Sequence, residues 1–193
     1  MPSNKIDPKD FLTSYLNDFS DLVKPDKRTI NKLLEIAVLL SEVQSQKKKA
    51  LIFGNGGSAA IASHFSVDLT KNAGLRCINC NEADLITCFS NDYGYDRWVE
   101  KAVDFYGDEG DLLIVISSSG SSKNMLNGVK AARNGNFKAV VTLSGFAENN
   151  PLYQLGDINL WINSRAYNFV ENIHQVWLLA IVDLIIGSRE YSS

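Results

Sequence analysis

The chain has 193 residues, of which 45% are hydrophobic, and its formal net charge is −3. This length and hydrophobic content suffice for one well-buried domain and exclude a chain that is disordered throughout. The slightly acidic charge argues against broad nucleic-acid binding, which needs a basic surface, so an anionic ligand must be held by local amides and hydroxyls.

No targeting or membrane signal is recognisable in the sequence. The first residues, Met-Pro-Ser-Asn-Lys, lack the apolar segment of a signal peptide, and no stretch approaches the roughly 20 apolar residues of a membrane span. We therefore expect a cytoplasmic protein that binds neither membrane nor nucleic acid. The basic run at residues 47–49 precedes a predicted strand and is interpreted as a solvated helix end.

Three cysteines, Cys77, Cys80 and Cys88, are present. An odd number with no further metal ligands nearby does not match a disulfide framework or a zinc knuckle. We expect reduced thiols that are mostly buried.

Two amphipathic helices are predicted before the first strand, at residues 7–23 and 29–44, because apolar residues recur there at helical spacing. Pro25 separates the two helices. They provide more cover than one small sheet needs, which indicates that one of them packs on another subunit. We expect a single domain, in which residues 1–46 form a helical segment and residues 47–193 form an α/β core.

Strands alternate with helices over the rest of the chain. We predict strands at residues 50–53, 76–80, 112–116, 138–143 and 158–162. We predict helices at residues 59–71, 83–89, 95–105, 123–133 and 167–186, with a turn at 91–94. This alternation predicts a parallel α/β sheet with right-handed crossovers, in which ligands bind beyond the carboxyl ends of the strands.

A serine-rich turn joins the strand at residues 112–116 to the helix that follows it. Such a junction concentrates unpaired backbone N–H groups and the positive end of the helix dipole at one point. Gly120 permits a close backbone approach. The turn adds the hydroxyl donors of Ser117, Ser118, Ser119, Ser121 and Ser122. This composition favours a phosphate site over the simpler alternative, a plain N-cap followed by a polar loop.

A second strand–turn–helix junction has the sequence GNGGS at residues 54–58. Its glycines do not have the spacing of a dinucleotide-binding loop, and the Gly-Lys-Ser/Thr of a P-loop is lacking. What remains is a tight turn with Asn55 and Ser58 as hydrogen-bond donors to a polar ligand. Because both turns follow strands of one parallel sheet, we interpret them as one site.

Two of the predicted helices carry polar residues suited to chemistry. His64 and Asp68 are four residues apart and share a helix face, either as a surface pair or as two ligands of a divalent metal. Glu171, His174 and Gln175 lie within about one turn of an otherwise apolar helix, which should be buried or at an interface. A buried Glu171 needs a cation or metal as partner, whereas His174 by itself is more commonly a satisfied core histidine.

Taken in order, these motifs resemble the phosphoheptose isomerase branch of the sugar isomerase (SIS) domain family. The matching segments are GNGGS at 54–58, HFSVDLT at 64–70, NDYG at 91–94, ISSSG at 116–120 and NIH at 172–174. The resemblance implies the SIS fold, an α/β three-layer sandwich with a five-stranded parallel sheet, extra N-terminal helices and a long C-terminal helix. It also implies a cytosolic homotetramer with active sites between subunits.

The resemblance further implies a substrate. Members of this branch convert sedoheptulose 7-phosphate to D-glycero-D-manno-heptose 7-phosphate, the first step toward the heptose of lipopolysaccharide or capsule. By this resemblance the phosphate is bound by Ser117, Ser118, Ser119 and Ser122. The sugar is contacted by Asn55, Gly56, Gly57, Ser58, Asp68, Asn91, Asp92 and Glu171.

The same resemblance implies a catalytic base and a zinc site. Asp68 stands where the family usually has a glutamate base, and Zn²⁺ would be held by His64, Asp68 and Glu171. A second histidine of the family's C-terminal helix is replaced here by Leu179, which can neither bind zinc nor shuttle a proton. His174 is then the candidate for acid/base duty.

The expected function is an isomerase acting on a seven-carbon ketose phosphate. Such a reaction moves a proton between adjacent carbons through an enediol, so it needs a base and a group that stabilises the oxyanion. Two alternatives stay open. One is a non-catalytic phosphosugar-binding or scaffold protein, like the DnaA-binding members of the family, to which Leu179 points. The other is an isomerase for another phosphosugar.

Overall fold

Strands and helices alternate along the chain in the computed structural model, which describes residues 7–190. The strands are β1 (Ala50–Phe53), β2 (Cys77–Ile78), β3 (Leu112–Ser117), β4 (Ala139–Ser144) and β5 (Ile158–Trp161). The helices are α1 (Pro8–Val23), α2 (Lys27–Ser45), α3 (Gly57–Lys71), α4 (Ala83–Tyr93), α5 (Trp98–Tyr106), α6 (Lys123–Asn134) and α7 (Tyr167–Ile186). A short 3-10 turn, Tyr95–Arg97, precedes α5.

The sheet is five-stranded and parallel, in the order β2-β1-β3-β4-β5. β1 and β3 are neighbours, with Phe53 paired to Val115 near their carboxyl ends. The turns that follow these two strands therefore open side by side at one edge of the sheet. The predicted parallel sheet is confirmed, and so is the shared edge of the two turns.

Helices cover both faces of the sheet. Successive side chains of a strand point to opposite faces. In β3, Leu112, Ile114 and Ile116 pack in the hydrophobic cluster that includes α2, α3 and α7. Leu113 and Val115 pack in a second cluster, with α5 and α6. The predicted three-layer sandwich is confirmed.

α7 is apolar enough to qualify as a membrane span by length and composition, with a mean hydropathy of 1.6. The prediction that no stretch approaches this composition is therefore wrong. Ile173, Trp177 and Leu178 on this helix are buried in the cluster that covers the sheet. Burial in the core explains one face of α7, whereas Val176 and Leu184 on the same helix are exposed.

The predicted turn at residues 91–94 is wrong for three of its four residues. Asn91, Asp92 and Tyr93 form the last turn of α4, and the chain turns only at Gly94, where φ is 87°. Sequence reasoning read the Asn-Asp pair as turn-forming. The backbone N–H of Gly94 donates to the carbonyl oxygen of Ser90 at 3.0 Å, so helical hydrogen bonding continues to the end of this segment.

All three cysteines are free, as predicted. Cys80 is buried and Cys77 half-buried, but Cys88 is exposed, so the expectation of mostly buried thiols is wrong for Cys88. Burial raises the pKa of the Cys80 thiol to about 12 and raises the pKa of Cys77 as well. These two thiols are therefore protonated and unreactive at neutral pH.

The interpretation of residues 47–49 as a solvated helix end is wrong for Lys49. Its side chain is 9% exposed, and its Nζ lies 2.6 Å from Oδ2 of Asp111 and 2.5 Å from Oδ2 of Asp108. Asp111 is fully buried, and its Oδ1 accepts the backbone N–H of Lys49 at 3.0 Å. Since Lys49 precedes β1 and Asp111 precedes β3, these contacts hold the two central strands together at their amino ends.

Replacing Lys49 with Met should lower the free energy of unfolding by about 3–5 kcal/mol, because Asp111 would stay buried without a counter-charge. Lys24→Met is the matched control. Lys24 pairs with Asp21 at the surface, where the side chains are 69% and 78% exposed, so its loss should cost less than about 1 kcal/mol. Urea unfolding of both variants measures the difference, and equal effects would contradict a stabilising role for the buried pair.

Candidate functional site

The turns after β1 and β3 meet in a cleft at the carboxyl edge of the sheet. The cleft has a volume of about 100 Å³. It is lined by Asn55, Ser58, Ile116, Ser117, Ser118, Ser119, Ser122, Tyr167 and Glu171. The structure therefore brings together the two turns that the sequence predicted to form one site. It adds Tyr167, the first residue of α7, which sequence reasoning did not select.

The serine turn offers hydroxyl donors and a helix N-terminus to the cleft. Oγ of Ser118 is buried and has no hydrogen-bond partner within residues 7–190. Oγ of Ser117 lies 3.2 Å from Oγ of Ser122, the residue that precedes α6. Gly120 has φ 67°, and a side chain there would collide with Asn150. A buried hydroxyl without a partner, beside unpaired helix N–H groups, favours an anionic ligand.

An amide pair joins the glycine turn, residues 54–58, to α6, the helix that follows the serine turn at residues 117–122. Nδ2 of Asn55 donates to Oδ1 of Asn124 at 3.1 Å, and Nδ2 of Asn124 donates to Oδ1 of Asn55 at 2.9 Å. The hydroxyl of Tyr95 donates to the same Oδ1 of Asn55 at 3.0 Å. Asn124 is only 2% exposed. These bonds leave Asn55 one free N–H for a ligand and fix the two turns relative to each other.

Sequence reasoning missed Asn124 and Tyr95. Each contacts Asn55 from a distant part of the chain, and a pairing of that kind leaves no spacing or periodicity in the sequence. The one available signal was the polar Asn124 at a position of α6 that is otherwise buried, next to the apolar Met125. A buried amide requires hydrogen-bond partners.

Glu171 faces the start of α3. A side chain at Gly57 would collide with the Glu171 carboxylate, which explains why the turn needs a glycine there. The helix N-terminus favours this negative charge, while partial burial raises the pKa of Glu171. The expected cationic partner is not found, since no Lys, Arg or His within residues 7–190 lies at ion-pair distance from Glu171.

His64 and Asp68 share a face of α3, as predicted, and contact each other. Nε2 of His64 lies 3.3 Å from Oδ2 of Asp68. Nδ1 of His64 lies 3.1 Å from Nε2 of Gln175 on α7. Asn72 donates to Oδ1 of Asp68 at 3.3 Å. The side chains of His64 and Asp68 are 48% and 19% exposed, so a ligand can reach both.

The three predicted zinc ligands do not fit a metal site within one chain. Within the part of the chain that the structure describes, no group of three His, Cys, Asp or Glu side chains is placed to hold a metal ion. His64 and Asp68 lie together, whereas Glu171 lines the cleft with the serine turn. Both ring nitrogens of His64 have protein partners, and zinc ordinarily takes four ligands.

Three other predicted residues lie apart from the cleft. Asn91 and Asp92 are exposed on α4, where Nδ2 of Asn91 donates to Oδ1 of Asp92 at 2.9 Å. His174 is fully buried, with Nε2 3.2 Å from the carbonyl oxygen of Ser144 and Nδ1 without a partner among residues 7–190. Burial lowers the pKa of His174 to about 4, so the ring is neutral at physiological pH. Its position is that of a core histidine.

Comparison with known proteins shows extensive similarity. The family model for the SIS domain matches residues 14–145. A phosphoheptose isomerase from Yersinia enterocolitica is 33% identical in an alignment 185 positions long, which covers 91% of this chain and 95% of that protein. The structure of a phosphoheptose isomerase from Neisseria gonorrhoeae has a TM-score of 0.85 at 26% identity, covering 92% of this chain and 98% of that chain. One from Francisella tularensis has a TM-score of 0.83 at 25% identity, covering 95% and 100%.

The burial of His174 should make the protein less stable in mild acid. Its pKa is about 4 in the folded chain and 6.5 as an ordinary value, so between these pH values the unfolded chain binds more protons. Stability therefore falls as the pH drops through this window, by about 2 kcal/mol between pH 7.5 and pH 5.

Urea unfolding at the two pH values tests this with His174→Gln, which should lose about 2 kcal/mol less than the wild type. The control is His64→Gln, which removes the chain's other histidine and should keep the full acid sensitivity. If His174→Gln loses as much unfolding free energy as the wild type between the two pH values, burial of His174 does not cause the acid sensitivity.

Proposed function

The chain belongs to the SIS domain family, in its phosphoheptose isomerase branch, and we propose that it converts sedoheptulose 7-phosphate to D-glycero-D-manno-heptose 7-phosphate. The observation that carries the proposal is the buried hydroxyl of Ser118, which has no hydrogen-bond partner among residues 7–190 and lies in a cleft shared by the serine and glycine turns. Relatives named phosphoheptose isomerase match nearly the whole chain. We place the enzyme in the cytoplasm, at the first step toward the heptose of lipopolysaccharide or capsule.

In this proposal the phosphate is held without a cationic side chain from residues 7–190. Hydroxyls of Ser117, Ser118, Ser119 and Ser122 line the cleft, and α6 begins directly after Ser122. Phosphate-binding turns can hold the anion with helix N–H groups and hydroxyls, without a basic surface. Among residues 7–190, Glu171 is the one charged residue lining the cleft. In this proposal it lies beside the sugar end of the ligand.

Contacts between α3 and α7 extend from the cleft toward His64 and leave a direction for a long sugar. Gln175 lies four residues beyond Glu171 on α7, a rise of about 6 Å along the helix. Gln175 contacts His64. Along α3, His64 lies about 9 Å and Asp68 about 15 Å from Ser58. A sugar anchored by its phosphate at the serine turn therefore presents its other end to His64 first. This favours a seven-carbon sugar phosphate, whose reacting carbons are at the far end from the phosphate.

Asp68 acts as the base in this proposal. Its carboxylate removes a proton from C1 of the ketose and returns it to C2 through an enediol, while the hydroxyl proton moves from O1 to O2. Nε2 of His64, 3.3 Å from Oδ2 of Asp68, holds this carboxylate in place. His174 has no part in these steps, because it is buried in the core.

The alternative of a non-catalytic phosphosugar-binding protein is favoured by one residue, Leu179. It lies one turn beyond Gln175 on α7 and offers no hydrogen-bonding group. Such a protein would bind sedoheptulose 7-phosphate without converting it.

We also propose a homotetramer with the clefts at subunit boundaries. Large apolar side chains are 42% to 63% exposed on α1, α2 and α7, namely Phe11, Leu12, Leu16, Ile30, Leu34, Val38, Val176 and Leu184. Two grooves of about 510 and 520 Å³ run along α2 and α7. Exposed apolar patches of this kind mark protein–protein interfaces.

Asp68→Asn should lower kcat for sedoheptulose 7-phosphate by at least about 100-fold, because an amide cannot accept the proton. KM should change little, since the phosphate contacts remain. Asp10→Asn, at an exposed position in the first turn of α1, is the control and should keep full activity. Turnover indifferent to the Asp68 change would refute the assignment of the base. Binding of the sugar phosphate by the wild type without turnover would establish the non-catalytic alternative.

Wild-type turnover should persist after dialysis against EDTA, since the described residues do not form a three-ligand metal site within one chain. Loss of turnover that zinc restores would contradict this, and would require ligands from a second chain.

Sedimentation equilibrium should give a mass four times that of the 21.4 kDa chain. The double change Leu34→Glu and Val38→Glu should lower that mass, because it places charge in the apolar patch. Glu35→Gln, at an exposed position of the same helix, should leave it unchanged. A monomeric wild type would exclude the tetramer.

A further inference from the structure

We propose that Gln175 is a positioning residue that fixes the ring of His64 in the tautomer that donates to Asp68. The inference rests on the proposed function, because it concerns the residue in contact with the proposed base. The sequence places Gln175 within one turn of Glu171 and His174 but assigns it no specific role. It belongs to α7, whereas His64 and Asp68 belong to α3, so the contact joins two helices.

The hydrogen-bond pattern selects one tautomer. Nε2 of Gln175 carries hydrogens and no lone pair for bonding, so at 3.1 Å it donates to Nδ1 of His64. The ring proton then sits on Nε2, which lies 3.3 Å from the Asp68 carboxylate. A neutral imidazole has one donor and one acceptor, and both are matched.

The opposite amide orientation is disfavoured. It would place Oε1 of Gln175 against Nδ1 and move the ring proton there. The lone pair of Nε2 would then face the Asp68 carboxylate, which accepts hydrogen bonds and donates none. With a neutral ring, the observed contacts are therefore satisfied together only when Gln175 donates.

The His64 ring needs this support because it lies at the surface. Its side chain is 48% exposed, and a partner four residues away on the same helix stabilises such a side chain only weakly. The two helices themselves are fixed, because Phe65 of α3 and Ile173 of α7 are buried in the same hydrophobic cluster. A contact from α7 therefore ties the ring to a rigid part of the molecule.

No other side-chain hydrogen bond joins α3 to α7 in the described part of the chain. Leu179, one turn further along α7, cannot supply one. Since misplacement of a reacting group by about 1 Å can cost 100-fold in rate, loss of this single contact should affect turnover.

The chain has two histidines, so ring ¹⁵N NMR of the full-length protein at pH 7.5 resolves the tautomer of each. In the wild type, His64 should be protonated on Nε2. His174, whose Nε2 donates to the carbonyl of Ser144, serves as an internal reference, and His64→Gln assigns the signals. In Gln175→Leu, the two His64 ring shifts should move toward those of a tautomeric mixture, while those of His174 stay in place.

Gln175→Glu gives a second, directional readout. A carboxylate offers only acceptors, so Nδ1 of His64 should also carry a proton in this variant, while Nε2–H still donates to Asp68. Gln44→Leu is the matched control, because Gln44 also bonds between segments, to the carbonyl of Ala73 at 3.0 Å, but lies far along the chain from His64. It should leave the His64 shifts as in the wild type.

Turnover separates this inference from the proposed function. If the wild type is an isomerase, Gln175→Leu should lower kcat about 10-fold or more with KM nearly unchanged, because the serine turn is untouched. If the Gln175 variants alter the His64 shifts but the wild type shows no turnover, the positioning role is supported and the isomerase is refuted. Unchanged His64 shifts in both Gln175 variants would overturn the positioning role whatever the activity.

Discussion

The parallel pairing of β1 with β3 is the constraint on which the site depends. These strands are distant in sequence, yet Phe53 pairs with Val115, so the turns after them open at the same edge. At the other end, the buried contact of Lys49 with Asp111 holds the same two strands together. The core of the sheet therefore sets the distance between the glycine turn and the serine turn before any ligand binds.

Polar contacts between distant segments convert this placement into a defined cleft. The amide pair of Asn55 and Asn124 fixes one turn against the other, and the Ser118 hydroxyl is left for a ligand. The contact of Gln175 with His64 fixes α7 against α3 about one helical turn beyond the cleft. An anion held by hydroxyls and helix N–H groups needs no basic surface, which agrees with the net charge of −3.

The sequence predicted the regular elements well because their signals are local. The predicted bounds of β1 and α7 coincide with the observed ones, since a short apolar run and a helical period lie within single segments. Residues whose roles depend on contacts across the fold were not predictable in this way. Lys49 was read as a surface charge, Asn124 and Gln175 received no role, and the Asn91 turn proved helical, because each outcome depends on a partner or on packing that spacing does not encode.

The central claim is that two turns at one edge of a parallel sheet bind a sugar phosphate together. A crystal structure of the full-length protein with sedoheptulose 7-phosphate tests it most directly. The account predicts a phosphate oxygen within about 3.2 Å of Oγ of Ser118, with the sugar chain extending along α7 toward His64. A phosphate bound elsewhere, or a Ser118 hydroxyl bonded to the protein's own side chains in the complex, would contradict the account.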